Sequence, residues 1–155
     1  MFQNFEGDLL LADTLDGGNV EIDNGLFVSD EQFSTAVYLS LFGGNKLDNG
    51  KTSSVNQYWG NLLRNATESE KLRSRFQYIV TGLPMSVKNI KEAEKAAAMD
   101  LQWFIDEKIA DVLDIAGRST GKNMFSLRVK ILKGKNNIFD NEYFLLWGEG
   151  NGTTI

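Results

Sequence analysis

"IADVLDIAGRSTGKNMFSLRVKILKGKNNIFDNEYFLLW", residues 109–147, decides the fold. Its centre, "FSLRVKI", alternates cleanly. Phe125, Leu127, Val129 and Ile131 face one way, and Ser126, Arg128 and Lys130 the other. That period of two is the mark of a strand with one face on a core. "IADVLDIA" before it reads as a second strand, joined through "GRSTGKN", and "IFDNEYFLLW" as a third, joined through "KGKNN". Such short, Gly- and Asn-rich connections imply an antiparallel meander. In the last strand Tyr143, Leu145 and Trp147 share one face, and Phe144 and Leu146 the other. A strand apolar on both faces is covered on both, one side by the chain's own helices and the other by a partner chain.

Upstream lies "SVKNIKEAEKAAAMDLQWFIDEK", residues 86–108. Ser86 is placed to cap a helix. Ile90, Ala97, Leu101, Phe104 and Ile105 fall on one face, with Lys91, Glu92, Glu94 and Lys95 largely off it. Ala96, Ala97 and Ala98 allow another element to come close. Trp103 sits on the flank of this helix and reads as an aromatic at the rim of the core. "TESEKLRSRFQYIV" reads as a helix capped by Thr67, with Glu70 completing a capping box and Leu72, Phe76, Ile79 and Val80 as its stripe. Gly82 and Pro84 stop it. "SDEQFSTAVYLSLFGG" reads as another, capped by Ser29 or Asp30 and ended by Gly43-Gly44. Phe33, Val37 and Leu41 recur at helical spacing. Ala36, Tyr38, Leu39 and Phe42 make it apolar nearly all round, which implies burial on more than one side.

Residues 8–28 read as short strands, with "TLDGGN" as a turn and Asn24-Gly25 as a hairpin signal. The expected fold is therefore α+β: a small antiparallel sheet with about three helices packed on it. Residues 1–150 form one domain and 151–155 a flexible tail. No internal repeat or linker interrupts the chain. Residues 43–57 are a long loop that delivers "QYWGNLL", so Tyr58 and Trp59 arrive from a polar run.

Composition narrows the chemistry. The 155 residues contain no histidine and no cysteine. Thiol nucleophiles, disulfides, thiolate metal sites and histidine triads are excluded together. The net charge of -5 makes nucleic acid a poor partner. The first fourteen residues carry acids where a signal peptide needs basic residues, and no stretch is long enough to span a membrane, so a cytoplasmic site of synthesis is expected. Any catalysis has to use carboxylates, Lys, Ser or Thr, or a hard metal. The acids cluster as Glu6, Asp8 and Asp13, as Asp106, Glu107 and Asp111, and as Asp140 and Glu142. Scattered near turns, they read first as solvated faces and caps. The Gly-rich pieces lack the spacing of a phosphate-binding loop.

The order of these pieces resembles the small baseplate wedge proteins of Mu-type contractile-tailed phages, a family related to the lysozyme-like wedge protein of T-even phages. "GDLLLADTLDGGNVEIDNGLFVSDEQFSTAVYLSLFGG" is similar to the family's strand pair, acidic turn and first helix. "YWGNLL" is similar to its Trp-Trp-Gly-acid element, with Tyr58-Trp59 for the double Trp and Asn61 for the acid. "LRSRFQYIVTGLPMSVKNIKEAEKAAAMDLQWFIDEKIADVLDI" is similar to its paired helices, and "FSLRVKILKGKNNIFDNEYFLLW" to its closing hairpin with a terminal Trp. The family's Glu-Pro-Arg element is absent, because "WFIDEKIAD" stands there.

The resemblance implies a virion structural protein, assembled in the host cytoplasm, with no catalytic residue, cofactor or metal. It implies binding to other baseplate wedge and hub proteins and to the tail sheath, through shared strands and packed helix faces. Together with exposed-aromatic logic, it makes Tyr58, Trp59, Trp103, Tyr143 and Trp147 the candidate partner contacts. The alternative is a carboxylate-dependent cell-wall glycosidase, in which Glu107 or Glu142 is essential. A third reading, a monomeric ligand-binding domain, requires a deep pocket around Trp59.

Overall fold

A computed structural model describes residues 33–43 and 72–148 in full, and the backbone of six short strands between residues 8 and 30. These strands pair antiparallel. β1 (Asp8–Leu9) pairs with β6 (Ser29–Asp30), β2 (Leu11–Thr14) with β3 (Gly17–Val20), and β4 (Ile22–Asp23) with β5 (Leu26–Phe27). The Asp23↔Leu26 register matches the hairpin expected across Asn24-Gly25. Gly17, Gly18 and Asn19, expected in a turn, are strand residues opposite Thr14, Asp13 and Ala12.

α1 spans Ser34–Phe42. Ser29 and Asp30 lie ahead of it, in β6 paired with β1. Phe33 takes the N-cap position instead, in the left-handed region at φ 61. That conformation is costly for a bulky residue. It is held by packing, since the Phe33 ring meets Phe104 edge-on at 5.5 Å. No residue of α1 is exposed, as its all-round apolar sequence requires. At its end Gly43 donates to the Leu39 carbonyl at 2.8 Å, and a Cβ there would lie 2.8 Å from that same oxygen.

α2 spans Arg75–Gly82. It starts later than the capping-box reading predicts, since Leu72–Ser74 are not helical. Thr67 and Glu70 lie outside the described residues. Phe76 and Val80 of the expected stripe are buried, and Ile79 packs beside them. Leu83, just before Pro84, is extended (φ -116, ψ 150), which ends the helix.

α3 spans Val87–Asp100, and the Ser86 hydroxyl accepts the Asn89 amide at 3.2 Å, as a capping serine should. The single long helix expected over 86–108 is broken. Leu101 and Gln102 form a turn, and a one-turn helix, α4 (Trp103–Asp106), follows. Tighter i→i+3 bonds, Phe104 N–H to Leu101 and Ile105 N–H to Gln102, carry the chain across the break. The apolar face survives it, with Ala97, Leu101 and Phe104 fully buried. Of the alanines, Ala96 and Ala97 are buried and Ala98 half-buried, and α2 packs closely on α3.

The meander is as expected. β7 (Val112–Gly121), β8 (Met124–Lys133) and β9 (Asn136–Leu146) form one antiparallel sheet in that order. Its turns are shorter than the sequence suggests. "GRSTG" continues β7, leaving Lys122-Asn123 as the turn, with Asn123 at φ 59. Gly134-Lys135 forms the other turn, and Asn136 and Asn137 already belong to β9. Phe125, Leu127, Val129 and Ile131 are fully buried beneath the helices, with Phe139, Tyr143 and Leu145 beside them. Burial of each such side chain contributes about 1.5–3 kcal/mol. Among the described residues the result is an α+β fold, with three helices and a single turn of a fourth beside a three-stranded sheet.

Candidate functional site

The candidate contact aromatics divide in three ways. Tyr58 and Trp59 lie outside the described residues, as do most of the 43–57 loop and the 151–155 tail. Trp103 is half-buried at the core rim. Its ring stacks on Phe104 at 4.0 Å, and its Nε1 donates to the Ser40 hydroxyl at 3.1 Å. Tyr143 and Trp147 are only 4% and 5% exposed. Tyr143 meets Phe42 edge-on at 5.7 Å. Trp147 meets Phe125 at 5.1 Å and donates from Nε1 to the Leu83 carbonyl at 2.6 Å. The backbone reinforces that bond, because the Gly148 amide reaches the Val80 carbonyl at 2.9 Å. Trp147 thus fastens the end of the sheet to the end of α2. Exposed-aromatic logic does not apply to Tyr143 and Trp147, which serve the chain's own core; alternation along β9 assigned their face correctly but not its covering.

The opposite sheet face is charged. Arg128 grips Asp140 with two hydrogen bonds, Nε to Oδ1 at 3.0 Å and Nη2 to Oδ2 at 2.9 Å. Arg118 donates from Nε to the Ser126 hydroxyl at 3.1 Å and from Nη2 to Glu142 at 2.8 Å. Asp140 is held below the usual carboxylate range by the Arg128 hydrogen bonds. Glu142 is likewise lowered, first by its bond from Ser126 and then by Arg118. Asp111 is lowered by the Gly134 amide at 2.7 Å and by Lys133 at 3.2 Å. A glycosidase general acid needs the reverse, a raised carboxyl. Phe144 is half-buried and Leu146 partly exposed on this face, so an apolar end adjoins the ionic rows.

The one strongly raised carboxyl among the described residues was not singled out from sequence. Asp100 is buried, and desolvation pushes it up to about 7 against the opposing hydrogen bonds from Phe76 and Arg75. The signal was available: Ala93, Ala96, Ala97 and Asp100 follow an i, i+3, i+4, i+7 stripe, which places the acid inside.

The outer edge of β7 is the other feature the sequence did not announce. β7 is an end strand of the sheet. The Gly117 amide points away from β8 and donates to Glu94 Oε1 of α3 at 2.7 Å. Glu94, expected off the packed face, is therefore turned inward to cover part of this edge. Gly117 permits the approach, since a Cβ there would lie 2.7 Å from Phe125 Cζ and 3.2 Å from Glu94 Cγ.

Among the described residues no group of three acids is arranged to hold a metal, and no helix is long and apolar enough to cross a membrane. No family model, no curated protein and no solved structure matches the chain.

Proposed function

We propose that this chain is a structural component of a contractile tail baseplate, or of a related injection device. It binds neighbouring wedge proteins and helps the sheath begin. The observation that carries the reading is architectural. The described helices lie on one side of a three-stranded meander, and the sheet ends in the ten-residue strand β7. Such an edge suits strand addition, in which main-chain hydrogen bonds supply affinity and side chains set the register. The ordered resemblance of the chain's pieces to the wedge family supports the same reading. On this reading the protein is not an enzyme and needs no cofactor.

The test is co-expression of the chain with the proteins encoded beside it. Co-purification of a stable wedge-like complex is the expected result. Clearing of a peptidoglycan suspension by the purified protein, lost in Glu107→Gln or Glu142→Gln, would overturn the proposal in favour of a glycosidase.

A further inference from the structure

The outer edge of β7, which a neighbouring wedge protein would also use, carries a pattern that fits a second copy of this chain. In an antiparallel strand, alternate residues turn both main-chain groups to the same side. Because Gly117 donates away from β8, Leu113, Ile115 and Ser119 share its outward phase. Their outward groups have no hydrogen-bond partner among the described residues. The even-numbered residues place their side chains on the charged sheet face, where Asp114 stands opposite Lys130 and Arg118 opposite Ser126. Asp114 makes no ion pair or hydrogen bond among the described residues. Arg118 uses Nε and Nη2, which leaves Nη1 unused there. Between these two opposite charges lies the small, exposed Ala116.

This pattern is self-complementary. We propose that the β7 edge pairs antiparallel with the β7 edge of a second copy, about a two-fold axis through Ala116, to make a continuous six-stranded sheet. In that register Ile115 meets Gly117 of the second copy, and Leu113 meets its Ser119. All four residues lie in the outward hydrogen-bonding phase. Asp114 meets Arg118 of the second copy at a position where side chains come closest, and the two Ala116 residues cross at the axis with nothing to obstruct them. A slip of one residue sets each outward-phase residue opposite an inward-phase one and loses the ladder. A slip of two replaces the Asp–Arg pairs with uncharged neighbours, Asp114 meeting Ala116 or Thr120 and Arg118 meeting Ala116 or Val112. Glu94 is the guard of this edge, because it must release the Gly117 amide before the second copy docks. An edge-only contact falls below the ~1,200 Å² of a standard interface, so the dimer is weak and forms at high protein concentration.

Sedimentation velocity of the full chain over rising concentration, combined with amide exchange, tests this. A reversible dimer is expected, with concentration-dependent protection at Leu113, Ile115 and Ser119. Ser119→Pro removes an outward donor without touching the β8 ladder. Asp114→Lys puts two cations opposite each other. Each change acts twice across the two-fold axis and should weaken association about tenfold. Glu94→Ala should tighten it about fivefold. Circular dichroism establishes that each variant is folded, and if Ser119→Pro unfolds, the exposed Asp114→Lys decides alone. A protein that stays monomeric at every concentration overturns the proposal, as does a dimer indifferent to Asp114→Lys.

Discussion

Asp100, the last residue of α3, caps the first turn of α2 from a distance. One carboxylate oxygen accepts the Phe76 amide at 2.9 Å, and the other accepts Arg75 Nη1 at 3.0 Å. The helix it caps has no capping side chain of its own, since the Ser74 hydroxyl is turned away to the Ser40 carbonyl. A free amide at a helix start attracts negative charge, and here the charge comes from another helix. The cap therefore joins two elements as well as ending one.

This relationship has a pH signature. The folded carboxyl is raised to about 7 from an ordinary 3.8, mainly by burial. Protonation is thus easier in the folded state than in the unfolded chain. The stability Asp100 contributes is fully present below about pH 4 and falls as pH rises toward 7. Asp111, Asp140 and Glu142 act in the opposite sense, because they are lowered on folding and lose stability as pH falls. The clean observable is the difference between wild type and Asp100→Asn. Melting curves from pH 4 to 8 should show wild type losing ground to the variant from about pH 4 to about pH 7 and the difference levelling off above that. A difference that stays flat over that range would show that the Arg75 pair keeps the carboxylate ionised throughout. Asp100→Ala has a separate effect. It strands the Phe76 amide and should cost about 2–4 kcal/mol near pH 4 and less as pH rises toward 7, read by urea denaturation.

Gly117→Ala is expected to destabilise the fold by about 1–3 kcal/mol. The added carbon meets the buried Phe125 ring at 2.7 Å, and that ring is itself held edge-on by Trp147. Glu94 can swing away, but Phe125 cannot. Gly82→Ala is the control, since its nearest neighbour is Tyr78 Cε2 at 3.9 Å. Chemical denaturation of the pair should show a loss only for Gly117.

Trp147→Phe keeps a ring against Phe125 but loses the Nε1 bond to Leu83. A cost of about 1–2 kcal/mol is expected from the stranded carbonyl. Trp147→Ala should cost about 3–5 kcal/mol. Amide exchange locates the effect: the amides of Leu83 and Gly148 should lose protection first in both variants, because they sit where α2 and the strand end meet.

The elements legible in the sequence were those with a strong local period. "FSLRVKI" declared its buried face because alternate residues differ sharply in polarity, and Ser86 declared a cap because the bonded amide is only three residues on. What escaped was settled by partners distant in sequence. α2 begins where Asp100 reaches it, 24 residues away from Phe76. β7 runs through "GRSTG" because β8 pairs with it, against the turn propensity of Gly and Ser. α1 begins only after Phe33, downstream of Ser29 and Asp30, which pair with β1. The burial of Tyr143 and Trp147 was hidden for a related reason. A Trp at a strand end looks the same in sequence whether a neighbouring chain or the chain's own α2 lies over it.

Trp103 offers the sharpest check on that distinction. Its indole is fixed to α1 through Ser40, whose hydroxyl accepts Nε1 at 3.1 Å while donating to the Ala36 carbonyl at 2.8 Å. Ser40→Ala removes the acceptor but leaves the Ser40 carbonyl free to keep its bond from Ser74. Trp103→Phe removes the donor and keeps most of the stacking surface on Phe104. If the indole serves to fasten α4 to α1, the two substitutions act on one bond, and their combined effect should fall short of their sum by about 1 kcal/mol. A double-mutant cycle in urea measures this directly. Simple additivity would mean that the indole hydrogen bond holds nothing inside this chain, and Trp103 would return as a surface for a neighbour.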